Sequence, residues 1–238
     1  MAETYSVDHR GCQLSCSVRG DGAPVLFIQG VGVHGDGWLP QVEALTSKYQ
    51  CLTFDNRGMG RSLPAGELSI ELMAEDARVL MDAQKWESAH VVGHSMGGLI
   101  AQHLALAHPK RVRRYAFFQL IMPPDALINE NLDMWAERLA PLFGHDLADQ
   151  PPIAMKQLSA MGRYNATPRL KELALVPTLV VSAEHDRIAP PSCGKAIHAG
   201  IPGSRYVELT GVAHGVPLHR PELINELLIE HLGAAEKK

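Results

Sequence analysis

Short apolar runs alternate with longer amphipathic stretches along most of this 238-residue chain. Residues 5–7 and 13–18 read as an antiparallel hairpin that turns at His9-Arg10-Gly11. Residues 24–29 and 51–54 are apolar runs too short for helices and read as buried strands. Between them, residues 38–47 carry Leu39, Val42 and Leu45 at helical spacing. Residues 70–84 place Ile70, Met73, Ala77, Leu80 and Met81 on one stripe, which predicts an amphipathic helix. The run Ala89-His90-Val91-Val92 leads into an alanine- and leucine-rich helix ending at His108-Pro109, and residues 113–119 form the next strand. Late in the chain, residues 177–183 and 205–209 are strand-like. Pro221 then opens a last helix, where its missing N–H does no harm, with Leu223, Ile224, Leu227, Leu228 and Leu232 facing inward. Strands alternating with helices predict an α/β fold.

Residues 120–169 break that alternation. Two helices are predicted there, 131–142 with Leu132, Trp135, Leu139 and Leu142 at spacings of three and four, and 153–161 with Met155, Leu158 and Met161. No internal repeat interrupts the pattern.

Composition narrows the class. Hydrophobic residues make up 46% and charged residues 20%, which supports a packed core rather than disorder. The net charge of −4 and the lack of a basic tract argue against nucleic acid as a partner. No apolar run approaches the roughly 20 residues that a membrane helix requires, so no membrane partner is expected. The N-terminal residues lack a basic region followed by an apolar core, and a cytoplasmic enzyme is the expectation. Cys12, Cys16, Cys51 and Cys193 read as packing thiols, since disulfides do not suit that compartment. Near Cys12 and Cys16 only His9 could join a metal site, and no metal is expected.

The candidate chemistry starts at Gly93-His94-Ser95-Met96-Gly97, set between a strand and a helix. A serine on such a turn takes a strained conformation that lifts its hydroxyl out of the fold, and flanking glycines let strand and helix approach closely. The next backbone N–H, on Met96, then points at whatever the hydroxyl attacks. By chance, G-x-S-x-G would arise in roughly one shuffled version of this chain in ten, so the partners matter. A serine needs a histidine to take its proton and an acid to orient that histidine. Among twelve histidines, position selects: Asp186 follows one late strand and His214 follows the next. In a parallel sheet Ser95, Asp186 and His214 would share the carboxyl edge, where ligands bind. Asp125 is the substitute acid, but five residues separate it from the end of its predicted strand.

The elbow, the order Ser95…Asp186…His214, and the turn Phe54-Asp55-Asn56-Arg57-Gly58-Met59-Gly60-Arg61-Ser62 resemble those of the α/β-hydrolase superfamily. The last matches its D-x-R-G-x-G-x-S turn, and the likeness spans almost the whole chain. Gln29-Gly30-Val31-Gly32 stands where members carry their oxyanion loop, with Gln29 in place of the usual histidine. The flavour is that of carboxylesterases, enol-lactonases and cofactor-free haloperoxidase or perhydrolase relatives. The resemblance implies a mostly parallel eight-stranded sheet with helices on both faces and a short helical lid over about 120–169. It also implies an oxyanion hole from the N–H groups of Val31 and Met96, and no cofactor.

Gly30, His34, Met122, Trp135, Leu139, Met155 and Met161 are candidate substrate contacts, in the glycine-rich loop and under the lid. His94 reads as structural, and Asp55 and Arg57 as holding their own turn. The expected reaction is hydrolysis of a small ester or lactone through an acyl-enzyme on Ser95. Carbon–carbon bond hydrolysis or perhydrolysis could use the same three residues. A small-molecule receptor on a hydrolase scaffold is the reading from another class.

Overall fold

A computed structural model describes residues 3–118 and 151–234. Its centre is an eight-stranded sheet: β1 (Glu3–His9), β2 (Cys12–Arg19), β3 (Ala23–Ile28), β4 (Tyr49–Phe54), β5 (Ala89–His94), β6 (Val112–Phe118), β7 (Thr178–Ala183) and β8 (Arg205–Leu209). The spatial order is β1-β2-β4-β3-β5-β6-β7-β8. β2 runs antiparallel to both its neighbours, and every pairing from β4 to β8 is parallel. The hairpin turn falls where Arg10 and Gly11 both take positive φ, as a tight turn between twisted strands requires.

Seven α-helices follow in chain order among the described residues: α1 (Leu39–Leu45), α2 (Ile70–Ala83), α3 (Met96–Ala107), α4 (Pro151–Arg163), α5 (Pro191–Gly200), α6 (Val216–His219) and α7 (Pro221–Gly233). None is long and apolar enough to cross a membrane. Side chains alternate across a strand, so each buried strand feeds two cores. Leu26 and Ile28 of β3 join Met73 and Leu80 of α2 and Ile100 and Leu104 of α3 on one face. Val25 and Phe27 join Val42 and Leu45 of α1 and Ile224 and Leu228 of α7 on the other. The double covering is why the central strands read as continuous apolar runs.

The predicted elements are found with small shifts. The helix expected over 38–47 begins as a 3₁₀ turn, Gly35–Trp38, and becomes α-helical only at Leu39, with Pro40 in its first turn. α5 has no counterpart in the sequence reading, because only Gly194 of its residues is buried and no apolar stripe marks it. The helix expected over 131–142 lies outside the described residues.

One cluster lies near the amino-terminal ends of the strands. His90 of β5 and His231 of α7 are both buried, and among the described residues His90 Nδ1 and His231 Nε2 have no hydrogen-bond partner. Burial pushes each imidazole down to about 4, and the guanidinium of Arg114 lowers both. Arg113 and His231 also lower His90; Arg205 lowers His231, while bonds to the backbone at Tyr115 and Pro177 partly raise it. Each group is kept neutral by the fold, so its contribution is complete above about 6.5 and is lost as pH falls toward 4. Acidifying from about pH 7.5 to 5 should cost about 2 kcal/mol per histidine, read from urea unfolding. His231→Leu should shrink that loss, and an undiminished loss in both His231→Leu and His90→Val would contradict the assignment.

Candidate active site

The chain leaves β3 for β4 on one side and later places β5 on the other. This reversal of strand order falls at β3 and β5, and open α/β sheets take their ligands at the carboxyl ends of such strands. Ser95 stands there, between β5 and α3, with φ 51° and ψ −118°. Such a conformation costs a non-glycine residue roughly 1–3 kcal/mol and persists only where the surroundings force it. They do so here by close approach. A Cβ on Gly97 would stand 2.1 Å from the Ile28 carbonyl oxygen, and a Cβ on Gly30 would stand 3.1 Å from Ser95 Cβ. The start of α3 is thus driven against the end of β3, with Ser95 beside Gly30.

Asp186 follows β7 and His214 follows β8, and the two meet. His214 Nδ1 donates to Asp186 Oδ2 at 2.6 Å, both residues being buried. The other carboxylate oxygen of Asp186 accepts the N–H groups of Ile188 and Ala189 at 2.9 and 2.8 Å. Because an ionised carboxylate only accepts, the proton sits on Nδ1 and the Nε2 lone pair of His214 is left free. Burial raises Asp186, and the two backbone donors offset part of that rise. Burial holds His214 well below the ordinary imidazole range, and the His94 ring, 5.6 Å away between centroids, lowers it further.

The loop after β3 is braced from three sides. Gln29 Oε1 lies 3.1 Å from His94 Nδ1, and Gln29 carbonyl oxygen accepts from Asn56 Nδ2 at 2.9 Å. Asp55 accepts the Gly35 N–H at 2.9 Å and the Arg61 N–H at 3.1 Å, tying the glycine-rich loop to the turn after β4. Buried Arg57 makes a two-pronged pair with Asp76 of α2 at 2.6 and 2.8 Å, and His9 Nδ1 joins Asp76 at 2.6 Å. Asp55 and Arg57 therefore hold their turn, as expected. From α4, Gln157 Oε1 accepts the Gly32 N–H at 3.0 Å.

Comparison with known proteins adds the lineage. The family model described as alpha/beta hydrolase fold matches residues 23–162. The chain belongs to the α/β-hydrolase superfamily. It is 29% identical to the "Putative carbamate hydrolase RutD" of Azorhizobium caulinodans over 254 aligned residues, covering 92% of this chain and 95% of that one. The enol-lactonase of Burkholderia xenovorans LB400 is 26% identical with a TM-score of 0.74, covering 94% of this chain and 98% of the other. Est816, described as an N-acyl homoserine lactone degrading enzyme, is 27% identical with a TM-score of 0.76 and the same coverage.

Within this α/β-hydrolase the candidate contacts fall in different places. Gly30 is at the elbow. His34 turns toward the β4 turn, its Nδ1 4.0 Å from Asp55 Oδ1. Met122, Trp135, Leu139 and the substitute acid Asp125 lie outside the described residues. Met155 stands 64% exposed on α4, and Leu158 beside it is exposed too. The inward face of α4 is instead Gln157 and Ala160, with Ile153 and Met161 partly buried against the core. The buried stripe does not follow the apolar residues because a glutamine, whose Oε1 accepts the Gly32 N–H, occupies its middle. Gln29 and Gln157 are the residues the sequence reading left without a role. Only the departure from histidine at position 29 marked the first, and nothing local marked the second.

Gly97→Ala should destabilise the fold by about 1–3 kcal/mol, since backbone on both sides must move to admit a methyl. Urea midpoints of the two proteins check this, and equal midpoints would mean that α3 is free to retreat.

Proposed function

We propose that this chain is a serine hydrolase of small carboxylic esters or lactones, with Ser95 as nucleophile, His214 as general base and acid, and Asp186 as the orienting carboxylate. The observation that carries this is the buried His214–Asp186 pair on the sheet edge that also bears a strained serine. A strained non-glycine residue is a stored cost that packing alone has no reason to keep. The named relatives support the reaction class, because carbamates, enol-lactones and acyl homoserine lactones share an acyl carbon bearing a displaceable heteroatom.

In this reading His214 Nε2 takes the proton as Ser95 Oγ bonds to the carbonyl carbon. The developing oxyanion is met by two backbone donors. Met96 opens α3, where first-turn N–H groups have no partner inside the helix. Val31 lies between Gly30 and Gly32, whose own N–H groups are engaged with Gln29 and Gln157. Losing one such donor typically costs about 2.7–4 kcal/mol of barrier. Collapse breaks the carbon–heteroatom bond, and His214 hands its proton to the leaving group. Water then repeats the sequence, freeing the acid and restoring Ser95.

A fluorophosphonate probe should label Ser95 and no other residue. Ser95→Ala should retain its fold and lose roughly 10⁴-fold or more in kcat on p-nitrophenyl acetate. Full turnover by that variant would remove the proposal, and absence of turnover in the wild type despite labelling would favour the receptor reading.

The pH profile is a separate check. An ordinary imidazole would give rates rising through roughly pH 6–7.5. The base must be neutral to act, and burial lowers His214, so the acid limb should shift downward. The midpoint of kcat/KM for p-nitrophenyl acetate should therefore lie below about 6.5. A midpoint at or above that value would contradict the burial assigned to His214.

A further inference from the structure

Gln157 is fully buried and polar in the middle of the inward face of α4. Its amide has two ends with different fates. Oε1 accepts the Gly32 N–H at 3.0 Å, which fixes the orientation of the group, because an N–H needs an acceptor. Nε2 is buried and has no hydrogen-bond partner among the described residues. A buried donor without an acceptor is an expense that native structures rarely carry without a use. Position suggests the use. Gly32 follows Val31, Gly30 packs beside Ser95, and the planar amide holds Nε2 within one residue's reach of that loop. The neighbouring inward residues Ile153, Ala160 and Met161 are apolar. They offer no competing acceptor.

We propose that Gln157 is a specificity residue whose Nε2 donates a hydrogen bond to an acceptor in the acyl half of the substrate. The site then selects acyl groups that carry an ether, ketone or similar oxygen in addition to the reacting carbonyl. The acyl half is chosen because the leaving group must face His214 to receive its proton, whereas Gln157 is joined to the oxyanion side of the site. This rests on the serine-hydrolase reading above. It concerns binding alone, and no bond is made or broken at Gln157.

The test compares matched p-nitrophenyl esters that share one leaving group: methoxyacetate against butyrate, and levulinate against isocaproate. Each pair differs in an acceptor oxygen with little change in shape. The intrinsic reactivity difference within a pair is the same for every protein and cancels between them. The readout is the ratio of kcat/KM within each pair for the wild type, Gln157→Leu and Gln157→Glu. Loosening the Gly32 loop would slow both members of a pair together and leave the ratio alone. Gln157→Glu keeps an acceptor for Gly32 while removing the amide donor, so it serves where Gln157→Leu fails to fold. The expected result is a ratio that falls about tenfold or more in both variants for at least one pair, while fluorophosphonate still labels Ser95. Ratios equal to wild type in both pairs would overturn the proposal and leave the hydrolase reading standing. A wild type that neither labels at Ser95 nor turns over any of the four esters would remove the hydrolase reading and this inference with it.

Discussion

The close approach of α3 to the end of β3 is the constraint on which the site depends. With no Cβ at position 97, the helix start can rest against the Ile28 carbonyl, and the chain between β5 and α3 must turn within one residue. That residue is Ser95, held at φ 51°. Its strain of roughly 1–3 kcal/mol is borne by the packing of α2 and α3 on one sheet face and α1 and α7 on the other. Neither core layer contains Ser95, Asp186 or His214, yet both hold the turn that carries the Ser95 hydroxyl.

Around this point the loops are fixed by polar contacts that cross the sequence. Asn56 and Asp55 secure the loop after β3 from the turn after β4. Arg57, Asp76 and His9 join that turn to α2 and to the hairpin at the far edge of the sheet. Burying an arginine and an aspartate brings little net stability, since desolvation offsets much of their attraction. What the pair supplies is a single geometry for a loop that the apolar core alone would leave loosely placed.

Membership of a superfamily with one fold and many chemistries says little about the substrate. The distinguishing features are local. Gln29 stands in the usual histidine position and bonds His94, whose ring packs against both His214 and Trp38. Gln157 reaches the same loop from α4, its Oε1 accepting the Gly32 N–H. These two amides join the loop after β3 to the elbow strand and to α4.

The sheet, the order of its strands in sequence, and the candidate trio Ser95, Asp186 and His214 were legible from the chain. Apolar periodicity is local, and a glycine-flanked serine, an aspartate and a histidine after successive strands mark one sheet edge whatever the surrounding contacts. The stripe of α4 was not legible. Met155 and Leu158 have the apolar character of buried residues, and Gln157 has the character of an exposed one; the structure reverses them. Periodicity ranks residues by what burial of the side chain costs in isolation. Only the tertiary structure brings the Gly32 N–H from more than a hundred residues away in the chain to meet the glutamine and lower that cost. The pairing of His94 with Gln29 across strands β5 and β3 was hidden for the same reason: a hydrogen bond between distant segments leaves no period in the sequence.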